Sequence, residues 1–179
     1  MSRCARLGKV ILVCALIAGP VYSTSSVLAH RADLINGRRA GPIRSGTTTL
    51  DIAEKWFGPA DGVKRVVVGC DVPLKRARWD GRLIVFFGRG PEGTATETKV
   101  LRRTIRSSVH GEITVHTRKG LRVGDSRRKV KRLYPQAIEY RHRGRDWYIL
   151  KSGPTYGRIE AAVEGRRVVI LRSGPWEYC

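Results

Sequence analysis

The hydrophobic pattern of the chain predicts an amphipathic helix within residues 44–62. Thr48 stands where an N-cap is expected, and Asp51 follows three residues later as the partner of a capping box. Gly58 and Pro59 predict the end of the helix, because glycine favours a helix C-terminus and proline cannot continue the helix. The apolar positions recur at helical spacing, and they are Leu50, Ile52, Ala53, Trp56 and Phe57.

A second helix is predicted within residues 120–137. Asp125 or Ser126 is its expected N-cap, and Pro135 ends it, because the residue before a proline disfavours helical angles. The apolar side of this helix consists of Val130, Leu133 and Tyr134. Basic residues cover the opposite side, which we therefore expect to face solvent.

Short runs rich in β-branched and aromatic residues predict strands. They cover residues 64–70, 81–87, 98–105, 112–116, 137–142, 146–151, 157–163 and 166–172. Glu164-Gly165 predicts a hairpin turn between the last two runs. Residues 30–43 are polar and marked by glycine and proline, so they predict a flexible N-terminal lead.

The order of a helix followed by strands occurs twice, which indicates an internal repeat. Any two capped amphipathic helices could align as well as these two, but the strand residues 81–83 and 157–159 match in the same order. We therefore predict an α+β fold: one globular domain, 44–179, of two tandem repeats (about 44–110 and 118–179), each a helix or helix pair packed on an antiparallel β-sheet. The predicted core is Ile52, Trp56, Val67, Leu83, Val85, Phe87, Val130, Leu133, Ile149, Ile159, Val169 and Ile170.

Residues 1–29 have the three parts of a cleavable secretory signal peptide. The basic start contains Arg3, Arg6 and Lys9. The apolar run VILVCALIAG is followed by small residues and a predicted cleavage site after Ala29. A spanning helix needs about 20 apolar residues, so an uncleaved membrane anchor is the less favoured alternative. The pattern predicts a secreted or cell-envelope protein, outside the cytoplasm, whose mature chain is 30–179.

The chain has 35 lysine and arginine residues against 15 aspartate and glutamate residues, a formal net charge of +20. Two interpretations remain open: a surface for an anionic partner, or a solvated arginine-rich surface without a specific role. Arginine beside aromatic residues such as Trp147 and Tyr148 suits phosphate binding or ring stacking. The candidate anion-binding residues are Arg118, Lys119, Arg122, Arg127, Arg128, Lys129, Lys131, Arg132, Arg141, Arg143 and Arg145.

Two cysteines, Cys70 and Cys179, remain after removal of the predicted signal peptide. An even number of cysteines in an oxidising compartment favours a disulfide bond. We therefore predict a bond between Cys70 and Cys179 that ties the C-terminus to the middle of the chain. Two free thiols, or a bond between two chains, is the alternative.

No catalytic motif stands out, since the sequence lacks HExxH, GxSxG, P-loop and CxxC patterns. Cys70 could act as a nucleophile only as a free thiol. His110 and His116 would share one face of a continuous strand, but no third metal ligand accompanies them. We expect no catalytic residues, no metal and no cofactor; the alternative is an exported hydrolase with an unrecognised active site.

One motif occurs in both predicted helices: a glycine, then Thr or Ser, then Ile or Val, then an aromatic residue, at 46–56 and again at 124–134. It resembles the helical unit of the SmpA/BamE-like outer-membrane lipoproteins and of the beta-lactamase inhibitor protein family. The second copy also resembles a segment of exported actinobacterial proteins. The resemblance implies tandem repeats and a binding role, without indicating a target. Phe57, Tyr134-Pro135 and the missing lipobox depart from the family pattern.

These observations together predict an exported, non-catalytic binding protein. Its partner would be a protein, or an anionic polymer or membrane surface of the cell envelope, recognised by the sheet face and the arginine-rich loops. Nucleic acid is the less favoured anionic partner, because no nucleic-acid motif accompanies the charge and an exported protein meets nucleic acid less often.

Overall fold

The computed structural model describes residues 34–69, 71–88, 93–109, 111–151 and 157–174. The predicted signal peptide, 1–29, lies outside the described residues, as do Cys70, Cys179 and His110. The predicted disulfide bond therefore stays a prediction.

The described residues form two helices and fourteen strands. The N-terminal half contains β1 (Leu34–Asn36), β2 (Arg39–Ala40), β3 (Ile43–Arg44), α1 (Leu50–Phe57), β4 (Gly62–Val68), β5 (Val72–Trp79), β6 (Leu83–Phe87) and β7 (Ala95–Val100). The C-terminal half contains β8 (Thr104–Ser107), β9 (Gly111–Thr114), β10 (His116–Thr117), α2 (Arg127–Leu133), β11 (Ile138–His142), β12 (Arg145–Lys151), β13 (Ile159–Glu164) and β14 (Arg167–Ser173).

An eight-stranded antiparallel sheet organises the molecule, in the order β11-β12-β13-β14-β7-β6-β5-β4. It consists of two four-stranded meanders, β4 to β7 and β11 to β14, which join where β7 pairs with β14. We call this junction the seam. A smaller sheet has the order β10-β1-β2-β3, with β1 parallel to β10, and β8 and β9 form a separate hairpin.

The prediction of two tandem repeats, each with a helix packed on a sheet, is wrong. Of the described residues, 54% lie in strands and 12% in helices, and the large sheet is continuous. Both helices are too short to form a layer, since seven or eight residues span only about 12 Å. Ala53 is the only buried residue of α1, and Val130 is the only buried residue of α2. The repeated helical motif is local, so it did not reveal that strands dominate the fold.

The two faces of the large sheet have different environments, as β6 shows by its alternation. Leu83, Val85 and Phe87 belong to the hydrophobic core, which also contains the buried residues of both helices and of β1 to β3. Ile84 and Phe86 lie on the other side. We call this second side the open face, because the described helices and N-terminal strands pack on the core side.

The prediction of a flexible lead over 30–43 is wrong for residues 34–43. Ile35, Ala40 and Ile43 are fully buried in the core, and β1 pairs with both β2 and β10. The small sheet also contacts β7 and β14. The glycine and proline of this segment form turns between very short strands, which a composition argument interprets as disorder.

Five predicted core residues are buried, namely Leu83, Val85, Phe87, Val130 and Ile159. Leu133 is partly buried against them, and Trp56, Ile149, Val169 and Ile170 are half-buried. The prediction that Ile52 and Val67 belong to the core is wrong, since 40% and 66% of their surfaces are exposed. Ile52 follows Leu50 by two residues, which is more than half a turn around the helix, and Val67 lies on the outermost strand, β4.

The element boundaries follow the sequence where the signal is local. Ser126 caps α2 by accepting a hydrogen bond from the Lys129 N–H, whereas α1 is capped by Thr49 instead of the predicted Thr48. Strand β5 was not predicted. The sequence VPLKRARW combines a proline with cations at positions that would normally alternate with apolar residues, and it becomes a strand because β4 and β6 pair with it on both sides.

Candidate binding surface

The eleven cations predicted to bind anions do not gather into one site. Arg127 donates hydrogen bonds to Tyr148 Oη at 2.7 Å and to Glu139 at 3.0 Å, and it also pairs with Asp146. Other ion pairs join Lys129 to Asp125, Lys131 to Glu139 and Arg145 to Glu164. These carboxylates neutralise much of the positive charge that the sequence suggested was available to an anionic partner.

The remaining predicted cations are distributed around α2 and the β11–β12 turn. Lys119 Nζ donates a hydrogen bond to the carbonyl of Leu133 and lies 5.0 Å from the centre of the Tyr134 ring. Arg122 is half-buried, and its backbone N–H donates to Asp125. Besides Lys119, five exposed predicted cations form no ion pair with a described acid: Arg118, Arg128, Arg132, Arg141 and Arg143. Because α2 packs on the core side, this basic helix lies opposite the open face.

One row of paired residues crosses all eight strands on the open face. In strand order it runs through Ile138, Ile149, Glu160, Arg172, Lys99, Ile84, Arg78 and Gly62. Directly paired residues of neighbouring strands share one side of a sheet. The row is therefore apolar at the β11 end, charged in the middle and cationic towards β4.

Glu160 lies at the centre of a polar network on this face and is fully buried. Its Oε2 accepts a hydrogen bond from Tyr140 Oη at 2.6 Å and lies 2.7 Å from Arg172 Nη2. Its Oε1 lies 2.9 Å from Arg158 Nε. Burial of an unpaired carboxylate would be costly, so these three partners permit an ion inside the structure.

The network extends across the seam into the N-terminal meander. Arg172 Nη1 lies 3.7 Å from Glu97 Oε1, and Lys99 Nζ lies 3.1 Å from the same oxygen. Arg172 and Lys99 are directly paired in the sheet. Like charges opposite each other would repel, but Glu97, whose carboxylate contacts both, offsets this repulsion.

Aromatic rings line the same network. The Arg172 guanidinium lies 4.5 Å from the centre of the Trp147 ring, and Lys99 Nζ lies 4.7 Å from that of Phe86. Tyr140 stacks on Trp147 with 6.4 Å between the ring centres. Ion pairs and cation–π contacts thus hold the same side chains, which makes the patch rigid. A shallow hollow of about 250 Å³ lies over it, lined by Ile138, Tyr140, Ile149, Arg158, Glu160 and Arg172.

Burial and the neighbouring Glu160 carboxylate raise the pKa of Tyr140 to about 12. Burial also raises the pKa of Glu160, while the Arg172 guanidinium opposes that shift. Tyr140 is therefore a neutral hydrogen-bond donor over the physiological range. Tyr140 and Arg172 hydrogen-bond to Glu160, and Arg158 forms an ion pair with it, so the network is suited to holding these side chains in place.

The raised pKa of Tyr140 makes a prediction about stability at alkaline pH. In the unfolded chain a tyrosine loses its proton near pH 10, before the folded Tyr140 does. The unfolded state then binds fewer protons, so stability falls as the pH rises from about 10 to about 12. Urea denaturation across this range should show the stability advantage of the wild type over Tyr140→Phe shrinking. Parallel stability curves for the two proteins would contradict the assignment.

Sequence reasoning missed the network on the open face and a second cluster on β4 and β5. The second cluster consists of Lys64, Arg65, Lys75, Arg76 and Arg78, and we call it the cationic hairpin. A signal for this cluster was present in the sequence. Lys64-Arg65 and Lys75-Arg76 lie on either side of a turn, and pairing in a hairpin places one dipeptide opposite the other. For the network no such signal was present, because alternation with Ile159 and Ala161 places Glu160 on the side opposite the core, and nothing local indicates that it is buried there.

Among the described residues, no group of three or more His, Cys, Asp or Glu side chains is placed to hold a metal ion. None of the helices in that part of the chain is long and apolar enough to cross a membrane. Comparisons of the chain with protein families, with curated proteins and with solved structures find no match.

Proposed function

We propose that the chain is an exported, non-catalytic binding protein that recognises a protein partner with the open face of its large sheet. The observation that carries this proposal is the rigid group of Tyr140, Trp147 and Arg172 on a sheet face that the described helices do not cover, where the buried Trp147 ring supports the partly exposed Tyr140 and Arg172. Tyrosine and arginine are among the residues that most often dominate the energy of protein interfaces.

The pre-arrangement of this patch supports the proposal. Association costs free energy whenever flexible side chains must be ordered, and arginine loses more freedom than most residues. Here Arg172 is already fixed between Glu160, Glu97 and the Trp147 ring. Ile138, which is 60% exposed at the end of the same row, adds apolar surface for a partner.

The charge distribution around Glu160 favours a protein over an anionic polymer as the partner of this part of the open face. In the described part of the network, three cations (Lys99, Arg158 and Arg172) stand against two carboxylates (Glu97 and Glu160), so the net charge is small. An acidic polymer or membrane binds mainly through uncompensated cations. A nearly balanced polar centre with an apolar border is the arrangement of a protein interface.

Two further arguments support the proposal. The signal-peptide pattern of residues 1–29 supports export. The resemblance of the 46–56 and 124–134 motifs to beta-lactamase inhibitor proteins supports a binding role. The competing proposal of an exported hydrolase finds no support in the network, because Tyr140, Arg158 and Arg172 all contact the Glu160 carboxylate.

Site-specific crosslinking tests the proposal. A photoreactive residue at Ile138, on the open face, should crosslink the full chain to one protein in the producing cells. The same residue at Ile52 on α1 should not, although Ile52 is also an exposed isoleucine. Equal crosslinking from both positions, or none from Ile138, would contradict the proposal.

A substitution then tests the interface with the captured partner. Ile138→Asp adds a charge to the border of the patch without removing a buried side chain, so the protein should remain folded. We expect the affinity to fall by about tenfold or more, because the charge would be desolvated against the partner. Ile52→Asp, the matched control, should bind like the wild type in isothermal calorimetry.

A further inference from the structure

The cationic hairpin has an arrangement that is unfavourable for the protein alone. Lys64 on β4 is paired directly with Arg76 on β5, and Arg65 is paired with Lys75. Side chains at such positions have Cβ atoms only about 5 Å apart, and like charges there destabilise a sheet. Two such pairs therefore stand side by side in one hairpin, on opposite faces of the sheet.

No carboxylate of the described chain lies within ion-pair distance of any of the five hairpin cations. The contrast with the centre of the same sheet is clear, because Lys99 and Arg172 are both paired there with Glu97. Asp61 lines the same cleft as three of these cations, and its carboxylate accepts a hydrogen bond from the Asp80 backbone N–H.

Three of the cations surround a cleft on the open face. Alternation places Lys64, Arg76 and Arg78 on the same side, and Gly62 stands opposite Arg78. Because Gly62 has no side chain, a cleft of about 180 Å³ remains, lined by Asp61, Gly62, Lys64, Arg76 and Arg78. A Cβ atom added at Gly62 would meet nothing within 4 Å, so this space is open.

Arg76 gives independent evidence that the cleft lacks a ligand group. Its Nε is shielded from solvent and has no hydrogen-bond acceptor in the described structure. A buried donor without an acceptor is costly, and a charged donor more so. An anion in the cleft would supply the missing acceptor and would offset the repulsion between Lys64 and Arg76 at the same time.

We propose that this cleft is a binding site for a phosphate-class oxyanion, such as a phosphate or diphosphate group. Arg76 and Arg78 present planar guanidinium groups that suit paired oxygens, and Lys64 adds a compact point charge. The lining has three cations against one acid, Asp61, so the excess of positive charge matches a phosphate, which carries about two negative charges and three strong acceptor oxygens, better than a single carboxylate. The site lies towards the β4 edge, away from the aromatic patch, and it does not depend on the proposed protein partner.

Calorimetric titration of the full chain with inorganic phosphate and pyrophosphate tests the proposal, with sodium chloride holding the ionic strength constant. We expect saturable binding, and a loss of about tenfold or more in affinity for Arg76→Gln. Arg65→Gln is the matched control, because it removes the same charge from the same hairpin on the other face. Its affinity should change by less than about threefold. Equal losses in both variants, or no saturable binding to the wild type, would overturn the proposal.

Two further variants keep the test independent of folding defects. Gly62→Val narrows the cleft without changing the charge and should weaken pyrophosphate binding. Lys64→Glu replaces repulsion with attraction, so it should raise the melting temperature in sodium chloride and remove the further rise that phosphate gives the wild type. A wild-type melting temperature that responds equally to phosphate and chloride would contradict the site.

The source of the phosphate group is distinguished by a parallel measurement. Vesicles of neutral phosphatidylcholine, with and without phosphatidic acid, are mixed with the full chain and sedimented. Co-sedimentation that requires phosphatidic acid and is competed by pyrophosphate would assign a lipid headgroup, while pyrophosphate binding without co-sedimentation would assign a soluble phosphate. Co-sedimentation that Arg76→Gln and Arg65→Gln weaken equally would count against a defined site.

Discussion

The substitution Gly174→Ala is expected to lower the free energy of unfolding by about 4 kcal/mol or more. Gly174 follows β14 with a φ of +127°, an angle that residues with side chains rarely adopt. A Cβ atom there would lie 2.2 Å from the carbonyl oxygen of Thr96 on β7. The contact involves backbone on both sides, so relief would require the two strands of the seam to separate.

Two matched glycine variants separate the causes of this effect. Gly165→Ala, in the β13–β14 turn, has a positive φ of 59° but nothing within 4 Å, so it should cost only about 1 to 2 kcal/mol. Gly62 has neither a positive φ nor a neighbour within 4 Å of an added Cβ atom, so Gly62→Ala should leave the free energy of unfolding nearly unchanged. Urea denaturation of the three variants measures the series. A loss for Gly174→Ala no larger than that for Gly165→Ala would show that the seam tolerates a side chain.

Replacing Glu160 with glutamine is expected to lower the free energy of unfolding by about 3 kcal/mol. The substitution keeps the shape of the side chain but removes the charge that Arg158 and Arg172 neutralise inside the sheet. Breaking a buried ion pair by changing one partner leaves the other charge without compensation. Arg172 retains Glu97 at 3.7 Å and is partly hydrated, so we expect the lower end of the usual range.

The control for this prediction is Glu164→Gln on the same strand. Glu164 pairs with Arg145, and both side chains are largely exposed, so the change should be within about 1 kcal/mol. In a double-mutant cycle, adding Arg172→Met to Glu160→Gln should cost less than the sum of the two single substitutions. Additive losses would show that the charges of Glu160 and Arg172 do not interact.

The local elements of the fold could be predicted from the sequence, whereas their arrangement could not. The caps of α2 and the turn before β14 depend on a few adjacent residues, such as Ser126 and Gly165. The class of the fold depends on how many strands form and pair. Four of these strands, β1 to β3 and β5, have sequences that only weakly favour a strand. These segments become strands because their neighbours supply hydrogen bonds and a core.

The candidate surfaces show the same division. The pairing of Glu160 with Arg172 follows from the β13–β14 hairpin, which the sequence indicated. Glu97 and Lys99 join the network only through the seam, which brings together residues more than 70 positions apart, and no local pattern indicates this pairing. The basic clusters were visible as charge, but the carboxylates that neutralise Arg127 and Lys131 become their neighbours only in the folded chain.

The position of the seam also determines which strands remain available for aggregation. By pairing β7 with β14, it uses one edge of each meander and leaves β4 and β11 as the outer strands of the sheet. If two copies of the chain paired along the full length of β4 in the antiparallel direction, Arg65 at its centre would face Arg65 of the other copy. Charged outer strands are how natural sheets avoid such growth. The arginine-rich composition thus also favours a sheet that stops at eight strands instead of extending into a fibre.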